Sequence, residues 1–428
     1  MIFLILVIIL LSVLSVIITK LKAIKHKKIW LVLIAIIILL SIYLHHIYKN
    51  KLIDINSFKK ESYTVINFDS IPSISNIIKP HSYRKNTGLG KDFDVYLSLL
   101  NNSRLKTHRR NFATIIYEIH QGDEVITIEH IPNKKCKNGY VFIPNQELVD
   151  KIDEEMLLTK GHVRLVLCKN KYSYDIFSNL KKTYNCSWLV DKFMFPSIIP
   201  NDKLLCNFPK SLSIYFHPAG KSWMKNTDIL IKTWNNNPQW PHLFITCSEG
   251  CRYKLKYDSK NQENIHFFDL LSKKDFINLQ KHAGFVILPS ACEGFGHSLY
   301  ESIENGNLLI TTDIPPINEF FKDMNNCLLI KSNKKHNLGS DNGLNYVTSL
   351  SKKAGISGSS CFTISENDIT KVVEKSFTLS PQQYNNIRRN ALHQLINRIP
   401  KSILSTQQVF LKHGFDVNKN EAEQTYLL

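Results

Sequence analysis

Short apolar runs alternate with amphipathic, helix-type stretches from Tyr63 to Thr312, and this alternation constrains the fold more than any other feature of the chain. In the first half, Thr64–Phe68, Val95–Leu100, Ala113–Ile119, Tyr140–Ile143 and Arg164–Cys168 read as short buried strands, with a helix over Lys171–Leu180. After a proline- and asparagine-bearing boundary at Pro200–Pro209, the strands are Ser211–Phe216, His242–Cys247, His266–Phe268, Phe285–Leu288 and Leu308–Thr312. Helices fit between them at Thr227–Trp234, Ser272–His282 (with Asp275 completing a capping pair) and Ser298–Asn305. Strands alternating with helices imply parallel βαβ units, so the expected fold class is α/β with two Rossmann-like domains built on parallel sheets. The 428 residues suffice for two such domains and an appendage. We expect a trimmed first domain over 63–205, a second over 206–375, and terminal helices and a tail over 376–428. Pro381–Asn397 should be an amphipathic helix, Lys334–Ser360 a loop, and the chain past Val417 frayed.

The N-terminus is of another kind. Ile2–Thr19 is uncharged, and Ile29–Leu44 repeats the pattern after a basic stretch. A helix crosses the hydrocarbon core with roughly 17 to 25 apolar residues, so residues 1–48 are expected to form a membrane anchor of one or two helices, followed by a linker over 49–62. No cleavage site with small residues is visible, which favours an uncleaved anchor over a signal peptide. The lysines from Lys20 to Lys28 would hold their loop in the cytoplasm and send the rest of the chain across. The nine cysteines, odd in number and irregularly spaced, suit a reducing compartment instead. Both placements stay open. The net charge of +18 favours anionic partners in general, but no helix-turn-helix, finger or aromatic RNA-binding pattern supports nucleic acid.

The segment Pro289-Ser-Ala-Cys-Glu-Gly-Phe-Gly-His-Ser-Leu-Tyr-Glu301 carries the most chemistry. It follows an apolar strand and opens a helix, so it lies at the carboxyl edge of a sheet, where open α/β folds bind ligands. Gly294 and Gly296 allow a sharp turn and close backbone approach, and the amides at the helix start suit an anion. Glu293 and Glu301 bracket that turn, and each carboxylate can accept from two vicinal hydroxyls of a sugar or ribose. Ser298-Leu-Tyr-Glu301 also fits a capping box, in which Glu301 only returns to the Ser298 amide, so two readings of Glu301 stand.

These residues resemble the Glu-x7-Glu signature of the family 4-like glycosyltransferases of the GT-B fold, the glycosyl transferases group 1. The upstream Pro289-Ser290 and the Glu293-Gly-Phe-Gly296 core match that signature as well. The resemblance implies a retaining, metal-independent hexosyltransferase that uses a nucleotide-diphosphate sugar as co-substrate. Glu293 would contact the transferred sugar and Glu301 the ribose. Gly294, Phe295, Gly296, His297 and Ser298 would meet the sugar and the diphosphate. The family keeps a Gly-Arg…Lys-Gly pair in an earlier strand-to-helix loop; here Gly220-Lys221 and Lys225-Asn226 stand in that loop. Two lysines can neutralise a departing diphosphate, although lysine lacks the bidentate fork of arginine. The resemblance covers Leu212–Ile330 well and the first half by architecture alone.

The acceptor, a glycan, lipid or protein, is expected in the first half, with His120 and Asn145 as candidates because each follows a strand-like run. Gly88-Leu-Gly90 reads either as a phosphate or sugar loop or as a turn. No metal and no further cofactor is expected, since the sequence holds no convincing Asp-x-Asp cluster beside a strand, and Cys247 and Cys251 lack further ligands nearby. A non-catalytic sugar- or nucleotide-binding module of the same fold is the alternative.

Overall fold

The computed structural model describes residues 62–63, 88–110, 114–145, 149, 151–197, 209–220, 222–247, 263–268, 271–332, 334–337 and 360–418. The expected membrane anchor (1–48), the linker up to 61 and the strand Thr64–Phe68 lie outside these residues. Among the described residues no helix is long and apolar enough to cross a membrane.

Two sheets organise the described chain. The short strand β1 (Ser62–Tyr63) belongs to the second of them. The first sheet follows helix α1 (Gly88–Leu99) and runs β2 (Arg104–Arg109), β3 (Ile115–Gln121), β4 (Glu124–Ile128), β5 (Tyr140–Ile143), β6 (Val163–Cys168) and β7 (Leu189–Lys192), in that spatial order. Helices α2 (Lys151–Leu158) and α3 (Lys171–Tyr184) connect its later strands. Strands β4 to β7 form the expected parallel sheet, and β2, β3 and β4 add an antiparallel meander at one edge that the sequence reading did not include. The polar strand β2 gives no strand signal in the sequence because it is an edge strand with mostly exposed side chains and no apolar alternation. Val95–Leu100, read as a strand, is helical up to Leu99. Phe93, Tyr96, Leu97 and Leu100 recur at i, i+3, i+4 and i+7, a helical stripe that the compact Val-Tyr-Leu-Ser-Leu-Leu run disguises.

The second sheet is built from β8 (Lys210–Gly220), β9 (His242–Cys247), β10 (Ile265–Phe268), β11 (Ala283–Leu288), β12 (Leu308–Thr312) and β13 (Leu328–Ile330). Their spatial order is β10-β9-β8-β11-β12-β13, parallel throughout, with β1 antiparallel on the start of β8. Counted from β8, this is the doubly wound order 3-2-1-4-5-6, whose topological switch point falls between β8 and β11. β11 is buried at all of its residues, as a central strand covered on both faces must be. Helices α4 (Thr227–Asn235), α5 (Lys273–His282) and α6 (His297–Glu304) provide the crossovers, and a short helix α7 (Ile317–Phe320) follows β12. The core on one face gathers Tyr215, Trp234, Phe285, Ile310 and Tyr384. The capping pair at Ser272 and Asp275 forms, with the Asp275 amide 3.1 Å from Ser272 Oγ. At the two ends of the expected loop (Lys334–Ser360), Lys334–Asn337 and Ser360–Thr363 pair as antiparallel strands, β14 and β15. Backbone pairing thus overrides a composition rich in Gly, Ser and Asn.

Two helices close the chain, α8 (Glu366–Phe377) and α9 (Pro381–Lys412). The expected end at Asn397 is corrected: α9 continues through Pro400. An internal proline removes one helical hydrogen bond and costs about 3 kcal/mol. Here Ile399, Ile403, Thr406 and Phe410, on either side of it, are buried and hold the helix on course. Its first half packs on the second sheet, where Tyr384 Oη donates to the Gly284 carbonyl at 2.8 Å. Its last half packs on α1 of the first half, with the Phe410 ring 5.9 Å from that of Tyr96. One helix therefore straps both halves.

Candidate active site

At the switch point two loops meet, one after β8 and one after β11. Gly220 ends β8 with φ +62°, a left-handed conformation that glycine adopts without strain. A single 3-10 turn over Trp223–Lys225 then leads into α4. The loops are tied together by backbone and side chain. The Ala291 amide donates to the Met224 carbonyl at 2.7 Å, and Asn226 Nδ2 donates to the Pro289 carbonyl at 2.8 Å. Beneath them His217, fully buried, bonds through Nδ1 to the Ile287 carbonyl at 2.7 Å and through Nε2 to Thr227 Oγ1 at 2.9 Å. This is why the two loops leave the sheet side by side.

Lys225 and Glu293 form an ion pair across these loops. Ser290 Oγ donates to the same Glu293 oxygen at 2.7 Å. Both charged side chains keep a little exposure, 15% and 13%, so the pair is within reach of a ligand. Lys221 lies outside the described residues.

The turn between the two glutamates ends at Gly296, which is the N-cap of α6 at φ +84° and offers no side-chain cap to the helix. A Cβ there would sit 2.6 Å from Leu299 Cδ1. The first amides of α6 thus start a helix with the positive end of its dipole and no internal anion. Because Gly296 is the N-cap, Ser298 is the second helical residue and no capping box forms. Glu301 instead pairs with Lys91, which belongs to the first half. Phe295 is buried: its ring stacks on Tyr300 with centroids 4.7 Å apart and meets Phe195 edge-on at 4.7 Å. Its side chain is structural, and only its backbone belongs to the turn.

A second set of polar residues, marked by no local sequence pattern, meets this turn from the first half. Asp92, in α1, receives His297 Nε2 at 2.7 Å and Lys169 Nζ at 2.9 Å. Lys169 follows β6 and also donates to Asn145, which follows β5; Asn145 donates in turn to Glu129, which follows β4. Three neighbouring parallel strands therefore deliver polar residues to one carboxyl edge. Glu129 adopts φ +66°, a strained conformation for a residue with a Cβ, and burial pushes its carboxyl above the ordinary value against the pull of Lys169. Asn170 Nδ2 donates to the Gly294 carbonyl at 3.0 Å, tying this edge to the turn. The amides of Lys171 and Tyr172 donate to Glu319 at 3.0 and 2.7 Å.

The structure brings Asn145 into this network and leaves His120 out of it. His120 pairs in register with Val125 at the start of β4, hence at the opposite, amino edge of the parallel strands. There it bonds Glu118 at 2.6 Å. Gly88-Leu-Gly90 forms the opening of α1, directly ahead of Lys91 and Asp92. The cue that was available for Lys169 is its place immediately after an apolar strand; for Lys91 it is the glycine pair before it. Among the described residues no cluster of three or more His, Cys, Asp or Glu side chains is arranged to hold a metal ion.

Residues 212–353 match the family described as glycosyl transferases group 1. The segment carrying the Glu-x7-Glu resemblance lies inside that match. Over 223 residues the chain is 29% identical to "Uncharacterized glycosyltransferase 335" of Sulfolobus islandicus rod-shaped virus 1, covering 49% of this chain and 59% of that one. Similar solved structures include the pneumococcal O-GlcNAc transferase GtfA in complex with UDP and GlcNAc, at 12% identity and a TM-score of 0.43 over 64% of this chain and 52% of that one. Anabaena HepE in complex with UDP and glucose has 13% identity and a TM-score of 0.43 over 64% and 71%. The match to the viral relative, and that to GtfA, thus spans little more than half of the other protein's length.

Proposed function

We propose that this chain, whose residues 212–353 are of the glycosyl transferases group 1 type, moves a hexosyl group from a nucleotide-diphosphate sugar to an acceptor with retention of configuration. The observation that carries the reading is the Lys225–Glu293 pair at the switch point of a doubly wound sheet, beside the uncapped start of α6. In that reading the diphosphate takes Lys225 and the first amides of α6 as its partners. Glu293, relieved of the lysine, accepts from hydroxyls of the transferred sugar. Glu301 exchanges Lys91 for the ribose hydroxyls. Lys221 adds a second cation from the same loop. Positive charge and amide dipoles aimed at the departing diphosphate lower the barrier where its negative charge develops, and they do so without a divalent ion. The acceptor enters over the carboxyl edge of the first sheet, where Glu129, Asn145 and Lys169 supply polar groups.

The experiment is a thermal-shift screen of the purified protein against UDP-, GDP- and ADP-hexoses, followed by transfer assays with the ligand that binds. A ligand that binds the folded state alone raises the melting temperature. Product formation with the donor's anomeric configuration, read by NMR, supports the proposal. Inversion would refute retention, and binding with neither transfer nor hydrolysis would assign the protein to a non-catalytic binding module.

A further inference from the structure

We propose that Asp92 is a positioning residue for the donor cradle, fixing His297 from the opposite half of the molecule. The inference rests on the sugar-nucleotide reading of the cradle given above.

Asp92 stands in the first turns of α1 with its side chain 3% exposed, and its two oxygens have different owners. Oδ2 accepts from Lys169 of the same half, whose side chain is 1% exposed. Oδ1 accepts from His297, the first residue of α6, in the other half. Burial by itself would push the Asp92 carboxyl up; the Lys169 ammonium and the His297 bond outweigh it and hold the group below the ordinary value. An ionised carboxylate is thus kept at the contact between the halves.

Desolvating such a pair consumes most of what its attraction returns, so a buried ion pair is weak evidence for stability and better evidence for specifying one geometry. The geometry specified here is that of the cradle. His297 directly follows Gly296, a hinge-like left-handed residue that no side chain caps. Its ring is also bounded by Phe195, 5.9 Å away and from the first half, and by Phe295, 5.0 Å away. Holding this ring therefore holds the first turn of α6, whose amides are the proposed diphosphate partners. Asp92 and Phe195 together give the turn after Gly296 its outer support from the first half. Asn170, Glu319 and Lys91 also bridge the cleft, but they tie a carbonyl, two amides of α3 and a helix side chain farther along; Asp92 acts on the first residue of α6.

The test is a double-variant cycle on the affinity for UDP, GDP and ADP, with melting temperature recorded alongside. His297→Phe preserves the ring packing and removes the N–H donor. Asp92→Asn preserves the volume but leaves Lys169 without its counter-charge, so a loss of stability is acceptable in that variant and not in the first. Each single variant should weaken nucleoside-diphosphate binding about tenfold, and the double variant should be no weaker than the worse single one. His297→Phe should melt within a degree or two of the wild type. Wild-type affinity in His297→Phe, or multiplying losses in the double variant, overturns the proposal. A wild-type protein that binds none of the three nucleotides refutes the sugar-nucleotide reading and this inference with it. A wild type that binds, beside a His297→Phe that binds equally well, refutes the positioning role alone.

Discussion

Lys225 and Glu293 neutralise one another across the two central loops of the second sheet, and Ser290 Oγ lies 2.7 Å from the carboxylate oxygen they share. A diphosphate that recruits the lysine leaves Glu293 oriented by Ser290 and open to a sugar hydroxyl. Glu293→Ala should therefore lower turnover by about an order of magnitude or more. Its melting temperature should fall, because Lys225 is left without its counter-charge at a site only 15% exposed, so turnover is compared at a temperature where the variant is fully folded. Full activity in this variant would remove Glu293 from the site.

Glu301 is held by Lys91 and has no capping role, since the N-cap of α6 is Gly296. Its proposed partner is the ribose. The wild type should then prefer a nucleoside diphosphate over its 2′,3′-dideoxy analogue, and Glu301→Ala should erase most of that preference. The measurement is the ratio of the two dissociation constants; an unchanged ratio assigns Glu301 to bridging the cleft alone.

Gly296 turns the chain into α6 at φ +84°, and a Cβ there would lie 2.6 Å from Leu299 Cδ1 and 3.8 Å from the Glu293 carboxyl carbon. The left-handed conformation alone costs a non-glycine residue about 1–2 kcal/mol. Gly296→Ala is expected to lower the melting temperature by a few degrees and to weaken nucleotide binding more than tenfold. Binding at wild-type strength would mean that the turn does not touch the ligand.

The second sheet was legible in the sequence because parallel central strands are covered on both faces. Phe285–Leu288 and Leu308–Ile310 appear as continuous apolar runs, and the glycines of the turn mark where backbone must bend tightly. The first half was less legible because its signals are weaker or misleading: β2 is polar and exposed, and α1 hides a helical stripe inside a strand-like run. α9 runs past the expected end at Asn397 and through Pro400, because buried residues on both sides of the proline hold it in place. The site divides along the same line. Glu293 and Lys225 could be found from local turns, whereas Lys91 and Asp92 meet Glu301 and His297 from 210 and 205 positions away. No local pattern announces such a meeting. The two readings of Glu301 were separable only once the N-cap residue was known.

Glu304 is a buried carboxyl on α6 whose Oε1 has no hydrogen-bond partner among the described residues. Burial pushes it well above the ordinary carboxyl value, against the pull of Lys91. A raised folded-state pKa gives stability that is full below the unfolded value near 4.5 and lost as pH rises toward and through the folded value. Glu304→Gln removes that liability without changing the shape. It should raise the melting temperature at pH 7.5 by about 2 °C or more and leave it unchanged near pH 4. A variant less stable than the wild type at both pH values would show the carboxyl to be needed.

His217 should give the opposite slope. Burial lowers its pKa to about 4, with the Ile287 carbonyl opposing and Lys225 assisting, so the folded protein holds it neutral with the proton on Nδ1. In the unfolded chain the imidazole titrates near 6.5. Between these values the unfolded state binds more protons than the folded one, so stability falls as pH drops from 6.5 to about 4 and its contribution is intact above 6.5. The difference corresponds to roughly 3 kcal/mol at most. An asparagine can still donate to the Ile287 carbonyl but cannot titrate. His217→Asn should therefore cost stability at pH 7.5, where the Thr227 bond is lost, and lose less on acidification than the wild type. Chemical denaturation at several pH values between 7.5 and 4 measures both. Parallel curves for the two proteins would show that His217 is protonated alike in the folded and unfolded chain, and that the tie between β8, β11 and α4 does not depend on a neutral imidazole.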